Sequence, residues 1–462
     1  MEYSKQKVHI IGIGEKTMLD LALALSDLGC VVTGSDESIP EALKEIGETL
    51  HLSIVASGWD KGNLSRDIDF VVIGSHIKGD NDELLEARAM DLKILSLPEY
   101  VFLHSQDKQR IVIAGTHGRN VIAAIVLHVL RYFKRDFDYV IATAQNGLKG
   151  RIKLSDEAPI IIIEGDEYQT SEIDPSPTFL HYHHHIGLVT GVAWDQLNVY
   201  PSYDEYVKQF DHFADSTPKA GILICSEADP VASMICQKER DDVQRIEYSA
   251  HKNEISNGKT YLLTDFGKVP LKIFGKNNMK NINGAKTICS KIGISDEMFY
   301  KAVESFDGTD SDTQILEDAA YTKVFKDIAN TPAKLKAVTN AVKKQYPKRQ
   351  LVAMLDLKFH SGTTRQYLSQ YADTFKSADD IIIYYRNNGE SGLGNVTHEE
   401  IKSAFHNKNL MVLDQKDMLE RHLLALDWKN KNLLLLGSGE IEGINFTELA
   451  KKIILKDNYQ KV

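Results

Sequence analysis

The most informative segment of the sequence is Ile111-Val112-Ile113-Ala114-Gly115-Thr116-His117-Gly118-Arg119-Asn120. A short apolar run, typical of a buried strand, is followed by two glycines and then by a helical pattern that continues to about Phe133. A strand that turns through glycines into a helix points backbone N–H groups and the positive end of the helix dipole at one spot. The pattern predicts a phosphate-binding turn; glycines that serve tight packing alone are the alternative.

The match to the complete phosphate-loop pattern, GxxxxGK[ST], is partial. Ile113 stands at its first glycine, Arg119 at its lysine and Asn120 at its Ser or Thr. A second segment supports the same site, because the isoleucine-rich run 159–163 leads into Glu164-Gly165-Asp166-Glu167. A carboxylate at the C-terminal end of a buried strand is where a nucleotide site holds Mg²⁺. A solvated acidic turn is the alternative reading of this segment.

Strand-like and helix-like segments alternate on both sides of these motifs, which predicts an α/β fold with parallel sheets. At roughly 150 residues per domain, the 462 residues correspond to about three domains. We place them at residues 1–105, 106–310 and 311–462, with the turn-rich acidic segment 306–312 as a linker. Further strands are predicted at 8–13, 30–33, 70–73, 93–95, 187–190, 222–225, 324–327, 351–356, 380–385, 410–413 and 432–436, with a hairpin at 259–273.

Composition and charge exclude several classes of protein. Apolar residues make up 43% and charged residues 26%, as in ordinary folded proteins, and the net charge of −11 disfavours a nucleic-acid or membrane-surface partner. No apolar run approaches the length of a membrane span, and the N-terminal apolar run is too short for a signal peptide. The scattered residues Cys30, Cys225, Cys236 and Cys289 are expected to be buried thiols in a reducing compartment, so a cytoplasmic location is predicted.

Taken together, the motifs resemble those of the Mur ligases, the ATP-dependent amide-bond-forming enzymes of peptidoglycan synthesis. The closer likeness is to the murein peptide ligase branch, which resembles the UDP-N-acetylmuramate–alanine ligases. It extends over essentially the whole chain. The segments that carry it are 9–14, 33–36, 114–118, 164–168, 179–182, 274–281, 327–332 and 437–443.

The resemblance implies a three-domain α/β enzyme. A Rossmann-like N-terminal domain would bind the UDP part of a UDP-N-acetylmuramate-type substrate, and a central P-loop-type domain would bind ATP with Mg²⁺. A C-terminal Rossmann-like domain would bind the incoming amino acid or peptide and close over the ATP. In such enzymes a carboxylate attacks the γ-phosphate to give an acyl phosphate, and an amine then displaces phosphate. The oligomeric state is left open.

The resemblance also assigns site residues. ATP binding falls to Gly115, Thr116, His117, Gly118, Arg119, Asn120, Asn278, Asn281, Asp327 and Asn330. UDP-substrate binding falls to Gly12, Gly14, Ser35 and Asp36. Catalysis falls to Arg119, Glu164 and Gln196, and metal binding to Asn120 and Glu164.

The departures from the family pattern cluster in the ATP site. Arg119 replaces a lysine, Asn120 a threonine, and three histidines are replaced by Gln196, Asn277 and Asn330. In the first glycine cluster Glu15 stands at a usual glycine, where its charge would oppose a pyrophosphate. Two hypotheses stay open at this point: a working ligase, and a catalytically degenerate relative that binds a ligand or a partner without turnover.

Three other interpretations are weaker. An NAD-dependent oxidoreductase is disfavoured because Thr17 replaces the third glycine of GxGxxG. A metal site at His181, His183, His184 and His185 is disfavoured because adjacent residues of an extended segment point to opposite faces. A second phosphate loop at Gly437-Ser438-Gly439 is disfavoured because the family has a glycine-rich turn there.

Overall fold

A computed structural model describes residues 6–38, 53–54, 58–145, 147–193, 199–238, 240–309, 313–358, 368–386, 396–407, 410–437, 441 and 443–459. In these ranges no helix combines the length and the apolar character needed to cross a membrane. Gln196, the segment 310–312 of the predicted linker and Ser438-Gly439 lie outside the described residues.

The first sheet is parallel and has the order β3-β2-β1-β4-β5 among the described strands. The predicted strands are confirmed and one short strand, β3, is added. The strands are β1 (Lys7–Ile11), β2 (Val31–Ser35), β3 (Ser53–Ile54), β4 (Phe70–Ile73) and β5 (Ile94–Ser96), and the helices are α1 (Lys16–Asp27), α2 (Asp82–Ala89) and α3 (Leu97–His104). Helix α1 buries Met18, Leu21 and Leu25 in the apolar core beside this sheet.

The central sheet has the order β14-β13-β12-β6-β9-β7-β8, and all its pairs are parallel except β7–β8. Its strands are β6 (Gln109–Ala114), β7 (Asp138–Val140), β8 (Ile152–Lys153), β9 (Ile160–Glu164), β12 (Ile186–Val189), β13 (Ile222–Ser226) and β14 (Gln244–Tyr248). β10 (Gln169–Ser171) and β11 (Asp174–Pro177) form a separate antiparallel pair. Ile161, Ile162 and Ile163 are fully buried, which explains why β9 is apolar up to its last residue, Glu164.

The helices around this sheet are α4 (Arg119–Tyr132), α5 (Thr178–His181), α6 (Tyr203–Asp215), α7 (Pro230–Cys236), α8 (Lys276–Lys291) and α9 (Asp296–Val303). A small antiparallel sheet, β15 (Asn253–Ser256), β16 (Lys259–Thr264) and β17 (Gly267–Leu271), contains the predicted hairpin.

The last sheet has the order β18-β19-β23-β20-β21-β22 and is parallel except for β18–β19. All five predicted strands are present. The elements are β18 (Gln314–Asp318), β19 (Lys323–Asp327), β20 (Gln350–Asp356), β21 (Asp380–Tyr384), β22 (Met411–Leu413), β23 (Lys431–Leu436), α10 (Pro332–Gln345), α11 (His398–Ala404), α12 (Lys416–Ala425) and α13 (Phe446–Tyr459). The α/β fold class with parallel sheets is therefore confirmed.

By internal packing the chain forms two compact units. The first comprises Met1–His251 with Lys280–Val303, and the second Lys252–Met279 with Glu304–Val462. One apolar core in the first unit joins residues of both of its large sheets, including Ile10 and Ile163. The second unit has a core on each face of its sheet. The division of the first unit at residue 105 stays a prediction.

Candidate functional site

The turn between β6 and α4 lies at the carboxyl edge of the central sheet. β6 pairs in parallel with β12 on one side and β9 on the other, so the segments that follow all three strands meet here. Gly115 has φ +116°, and Gly118, at the N-cap of α4, has the left-handed conformation with φ +89°. The turn therefore has the predicted strand–glycine–helix form.

The space around these two glycines excludes a side chain. A Cβ atom on Gly115 would lie 2.2 Å from Oγ1 and 2.7 Å from the backbone N of Thr190. A Cβ atom on Gly118 would lie 2.5 Å from Oδ1 of Asn281, which α8 brings against the turn. The glycines therefore serve close packing as well as backbone conformation, and the structure brings the predicted site residue Asn281 to the turn.

Thr116 connects the turn to the segment that follows β12. Its N–H donates to the carbonyl of Gly191 at 3.0 Å, and its hydroxyl oxygen accepts the N–H of Ala193 at 2.9 Å. The hydroxyl also lies 2.9 Å from the carbonyl oxygen of Ala193 and 2.8 Å from the hydroxyl of Tyr206. This side chain holds the shape of the site, whereas His117 beside it is exposed.

The side chain of Arg119 lies among three carboxylates, that of Glu164 at the end of β9 and those of Asp166 and Glu167 just after it. Its Nε is 3.8 Å from Glu164, its Nη2 is 3.5 Å from Asp166, and its Nη1 directly contacts the carboxylate of Glu167. The side chains of Glu164 and Glu167 are 6% and 2% exposed, so two of these ion pairs are largely shielded from water. The pairing of β6 with β9 sets Glu164 opposite Ile113 and so brings the acidic segment to the turn.

Glu164 has an environment that disfavours its charge. Burial raises the pKa of its carboxyl above the usual value and Asp166 adds to the rise, while the N–H of Ala142 and the Arg119 guanidinium act against it. The Ala142 N–H donates to Oε2 at 3.0 Å. A carboxylate so placed depends on a nearby cation, and the described structure supplies Arg119.

The carboxylates of this cluster are paired with Arg119 and are not arranged around a divalent cation. Mg²⁺ needs oxygen ligands at about 2.0–2.1 Å in near-octahedral geometry. Here the carboxylates surround a guanidinium, and among the described residues no group of three or more His, Cys, Asp or Glu side chains is arranged to hold a metal ion. Metal binding by Asn120 and Glu164 stays a prediction.

The first sheet carries the predicted UDP-substrate site. Gly12 has φ +94°, and the N–H of Gly14 donates to Oδ2 of Asp36 at 2.8 Å, which ties the turn after β1 to the end of β2. Glu15 is turned towards the next loop, where its carboxylate accepts the N–H and the hydroxyl of Ser75, both at 3.1 Å. Gly12, Gly14 and Asp36 are thus brought together.

Ser35 is fully buried and its hydroxyl donates to the carboxylate of Glu83, a residue that sequence reasoning missed. Glu83 also accepts from Asn63 at 2.6 Å and from the N–H of Asp60 at 3.0 Å, and it lies 3.5 Å from His9. From the sequence alone, Glu83 is an ordinary acidic residue in the first turn of α2, and nothing in the pattern marks it as buried. The predicted substrate role of Ser35 stays a prediction.

The remaining predicted residues belong to the second unit. Asp327 accepts the N–H of Ala329 at 2.8 Å and the hydroxyl of Thr313 at 2.7 Å. The Asn278 amide donates to the carbonyl of Phe274 at 3.1 Å, and the Asn330 carbonyl accepts the Tyr371 hydroxyl at 3.4 Å.

The histidine-rich segment after α5 has separate partners. His184 is fully buried, packs against the ring of Phe213 and lies 2.8 Å from the hydroxyl of Thr217. Burial is the largest of the effects that lower its pKa to about 3. The ring of His185 faces Arg110, and its Nδ1 accepts the backbone N–H of Arg110 at 3.0 Å. Neighbouring histidines therefore point in different directions.

Comparison with known proteins shows which family this chain is similar to. The family model described as Mur ligase family, catalytic domain, matches residues 7–108. The UDP-N-acetylmuramate–L-alanine ligase of Carboxydothermus hydrogenoformans is 26% identical over 460 residues, covering 96% of both chains. That of Bdellovibrio bacteriovorus is 25% identical over 463 residues, covering 95% of this chain and 97% of the relative.

Solved structures show the same fold. The UDP-N-acetylmuramate–alanine ligase of Thermotoga maritima aligns over 98% of this chain and 100% of its own, with a TM-score of 0.67 and 18% identity. A murein peptide ligase of Psychrobacter arcticus aligns over 97% and 98%, with a TM-score of 0.59 and 21% identity. The chain resembles the Mur ligase family over nearly its whole length, in sequence and in fold, as its motifs predict.

Proposed function

We propose that this protein is an ATP-dependent ligase of the Mur type, which joins an amino acid or peptide to a UDP-N-acetylmuramate-type substrate in peptidoglycan synthesis or recycling. The observation that carries the proposal is the glycine turn from β6 into α4, with Glu164 placed beside it by β9. The relatives with matching length are UDP-N-acetylmuramate–L-alanine ligases, which supports the substrate class. The reaction is proposed to take place in the cytoplasm.

The proposed chemistry assigns a limited part to each region. The N-terminal turn of α4 would hold the nucleotide phosphates through its backbone N–H groups, since a helix N-terminus favours anions. Mg²⁺ would arrive with ATP as part of the substrate. The substrate carboxylate would form a bond to the γ-phosphorus while the bond to ADP breaks. The amine would then form the amide bond as inorganic phosphate leaves and a proton is lost from nitrogen.

The turn around Gly12, Gly14 and Asp36 is the proposed position of the UDP group. This turn lies at the N-terminus of α1, and a helix N-terminus favours the binding of phosphate. The Asp36 carboxylate holds the turn in place by accepting the N–H of Gly14. Glu15 forms the N-cap of α1 but directs its carboxylate to Ser75, which reduces its opposition to an anion. UDP-N-acetylmuramate is therefore expected to bind independently of ATP.

Phosphate release tests the proposal. Mg-ATP with UDP-N-acetylmuramate and L-alanine, or a peptide beginning with L-alanine, should release phosphate and give a product whose mass shows the new amide. Glu164→Gln should lower the rate by about 10- to 1,000-fold, while the exposed Glu157→Gln should leave it unchanged. Absence of product with every acceptor would refute the ligase.

A second candidate is a Mur-type binding module without turnover. The observation that favours it is the engagement of Arg119 by Glu164, Asp166 and Glu167 instead of an open phosphate-facing position. A thermal-shift comparison separates the two. The module predicts that UDP-N-acetylmuramate stabilises the wild type, and that Mg-ATP does so only after Arg119→Lys with Asn120→Thr. The ligase predicts stabilisation of the wild type by both ligands.

A further inference from the structure

The acidic cluster at the carboxyl end of β9, formed by Glu164, Asp166 and Glu167, already surrounds the cationic side chain of Arg119. Arg119 contacts Glu167 and lies 3.5 Å from Asp166 and 3.8 Å from Glu164, and its side chain is 13% exposed. Removing one partner of a buried ion pair leaves an uncompensated charge, which strongly destabilises a protein. The structure therefore favours keeping the guanidinium where it is.

A divalent cation would need the same oxygens. If it bound to Glu164, it would lie close to the guanidinium, and both would carry positive charge. The planar guanidinium can reach several carboxylates at once, which the compact ammonium of a lysine does not do in the same geometry. The cation and Arg119 therefore compete for one position.

We propose that Arg119 takes the place of a protein-held divalent cation in this cluster and excludes such a cation from Glu164. The inference rests on the proposed function, because that function makes the β6–α4 turn a nucleotide site. Cation binding itself can be measured without nucleotide or turnover. A consequence is that any nucleotide binding at the β6–α4 turn does not require a metal ion anchored by the protein.

Mn²⁺ titration of the complete protein, followed by electron paramagnetic resonance without nucleotide, tests the proposal. The wild type should show no saturable site below about 1 mM. Arg119→Met should gain one Mn²⁺ site whose dissociation constant lies at least about tenfold below this limit. Mn²⁺ should raise the melting temperature of this variant and not that of the wild type. Adding Glu164→Gln should abolish the gained site.

Arg151→Met is the matched control, because Arg151 forms an ion pair with Asp20 at 2.5 Å elsewhere in the same unit. It should gain no Mn²⁺ site. Saturable binding by the wild type that Glu164→Gln removes would overturn the proposal, as would a folded Arg119→Met without a site. If Arg119→Met does not fold, Arg119→Gln replaces it, and the wild-type titration still decides. Failure of the ligase assay leaves these outcomes unaffected, so the two proposals fail separately.

Discussion

Replacing Gly118 by alanine should destabilise the first unit and distort the phosphate turn. Gly118 adopts φ +89°, and a Cβ atom would lie 2.5 Å from Oδ1, 3.2 Å from Cγ and 3.3 Å from Nδ2 of Asn281. Asn281 is buried, so its amide has little room to move away. Two separate costs are therefore expected, one from the backbone and one from the contact.

The magnitudes follow from general values. An L-residue in the left-handed region costs about 1–2 kcal/mol, and overpacking of a well-filled site adds about 1–3 kcal/mol. We expect Gly118→Ala to lower the free energy of unfolding by about 2–4 kcal/mol after the smaller entropy of the unfolded alanine chain is included. Gly29→Ala is the matched control, because Gly29 has φ +84° and nothing lies within 4 Å of its Cβ position.

Urea unfolding followed by circular dichroism measures both variants, and hydrogen exchange of the α4 amides shows whether the loss is local to the turn. Gly118→Ala should cost at least about 1 kcal/mol more than Gly29→Ala, and combining it with Asn281→Ala should recover part of the difference as a coupling energy. Equal costs for the two glycines, with no coupling to Asn281, would refute the packing argument.

Three further predictions concern polar side chains of the first unit, of which Glu83 and His184 are fully buried and Thr116 is partly buried. Glu83→Gln should lower the free energy of unfolding by about 1–3 kcal/mol, because the Glu83 carboxylate accepts hydrogen bonds from Ser35, Asn63 and Asp60. Burial raises the pKa of Glu83, but the neighbouring His9 and the hydrogen bonds from these donors outweigh this effect, and the net pKa is lowered. The wild-type advantage over Glu83→Gln in urea unfolding is therefore complete above pH 4.5 and lost as the pH falls through the lower folded-state pKa, and an advantage that persisted at low pH would contradict this. His184 has a folded-state pKa of about 3 against 6.5 when unfolded. The free energy of unfolding of the wild type should therefore fall by about 1.4 kcal/mol as the pH is lowered from 7.5 to 5.5. His184→Gln should remove this loss and the exposed His398→Gln should keep it; equal slopes in urea unfolding would argue against a neutral buried His184. Thr116→Val should lower the free energy of unfolding by about 1–3 kcal/mol, because it removes the hydroxyl that contacts both Ala193 and Tyr206. A melting temperature unchanged from the wild type would show that this contact is dispensable.

The sequence was sufficient to predict the parts of the site that depend on local pattern. The isoleucine run predicted β9, and its parallel pairing with β6 brought Glu164 to the glycine turn. Strand β3 was missed because two residues carry too little apolar pattern. The missing capping hydrogen bond of Thr331, the N-cap of α10, could not be predicted either, since a cap position does not fix a side-chain rotamer.

The direction of the Arg119 side chain could not be predicted, because it depends on three carboxylates that the fold brings together. From the sequence, Arg119 was a lysine replacement that kept its charge near the phosphates. In the structure that charge is paired with Glu164, Asp166 and Glu167. Arg119→Lys alone would therefore leave these acids partly unpaired, and it would leave Asn120 at the position where the family pattern has a threonine. The two substitutions act on one site, and their effects on ATP and metal binding should be coupled when Arg119→Lys and Asn120→Thr are combined.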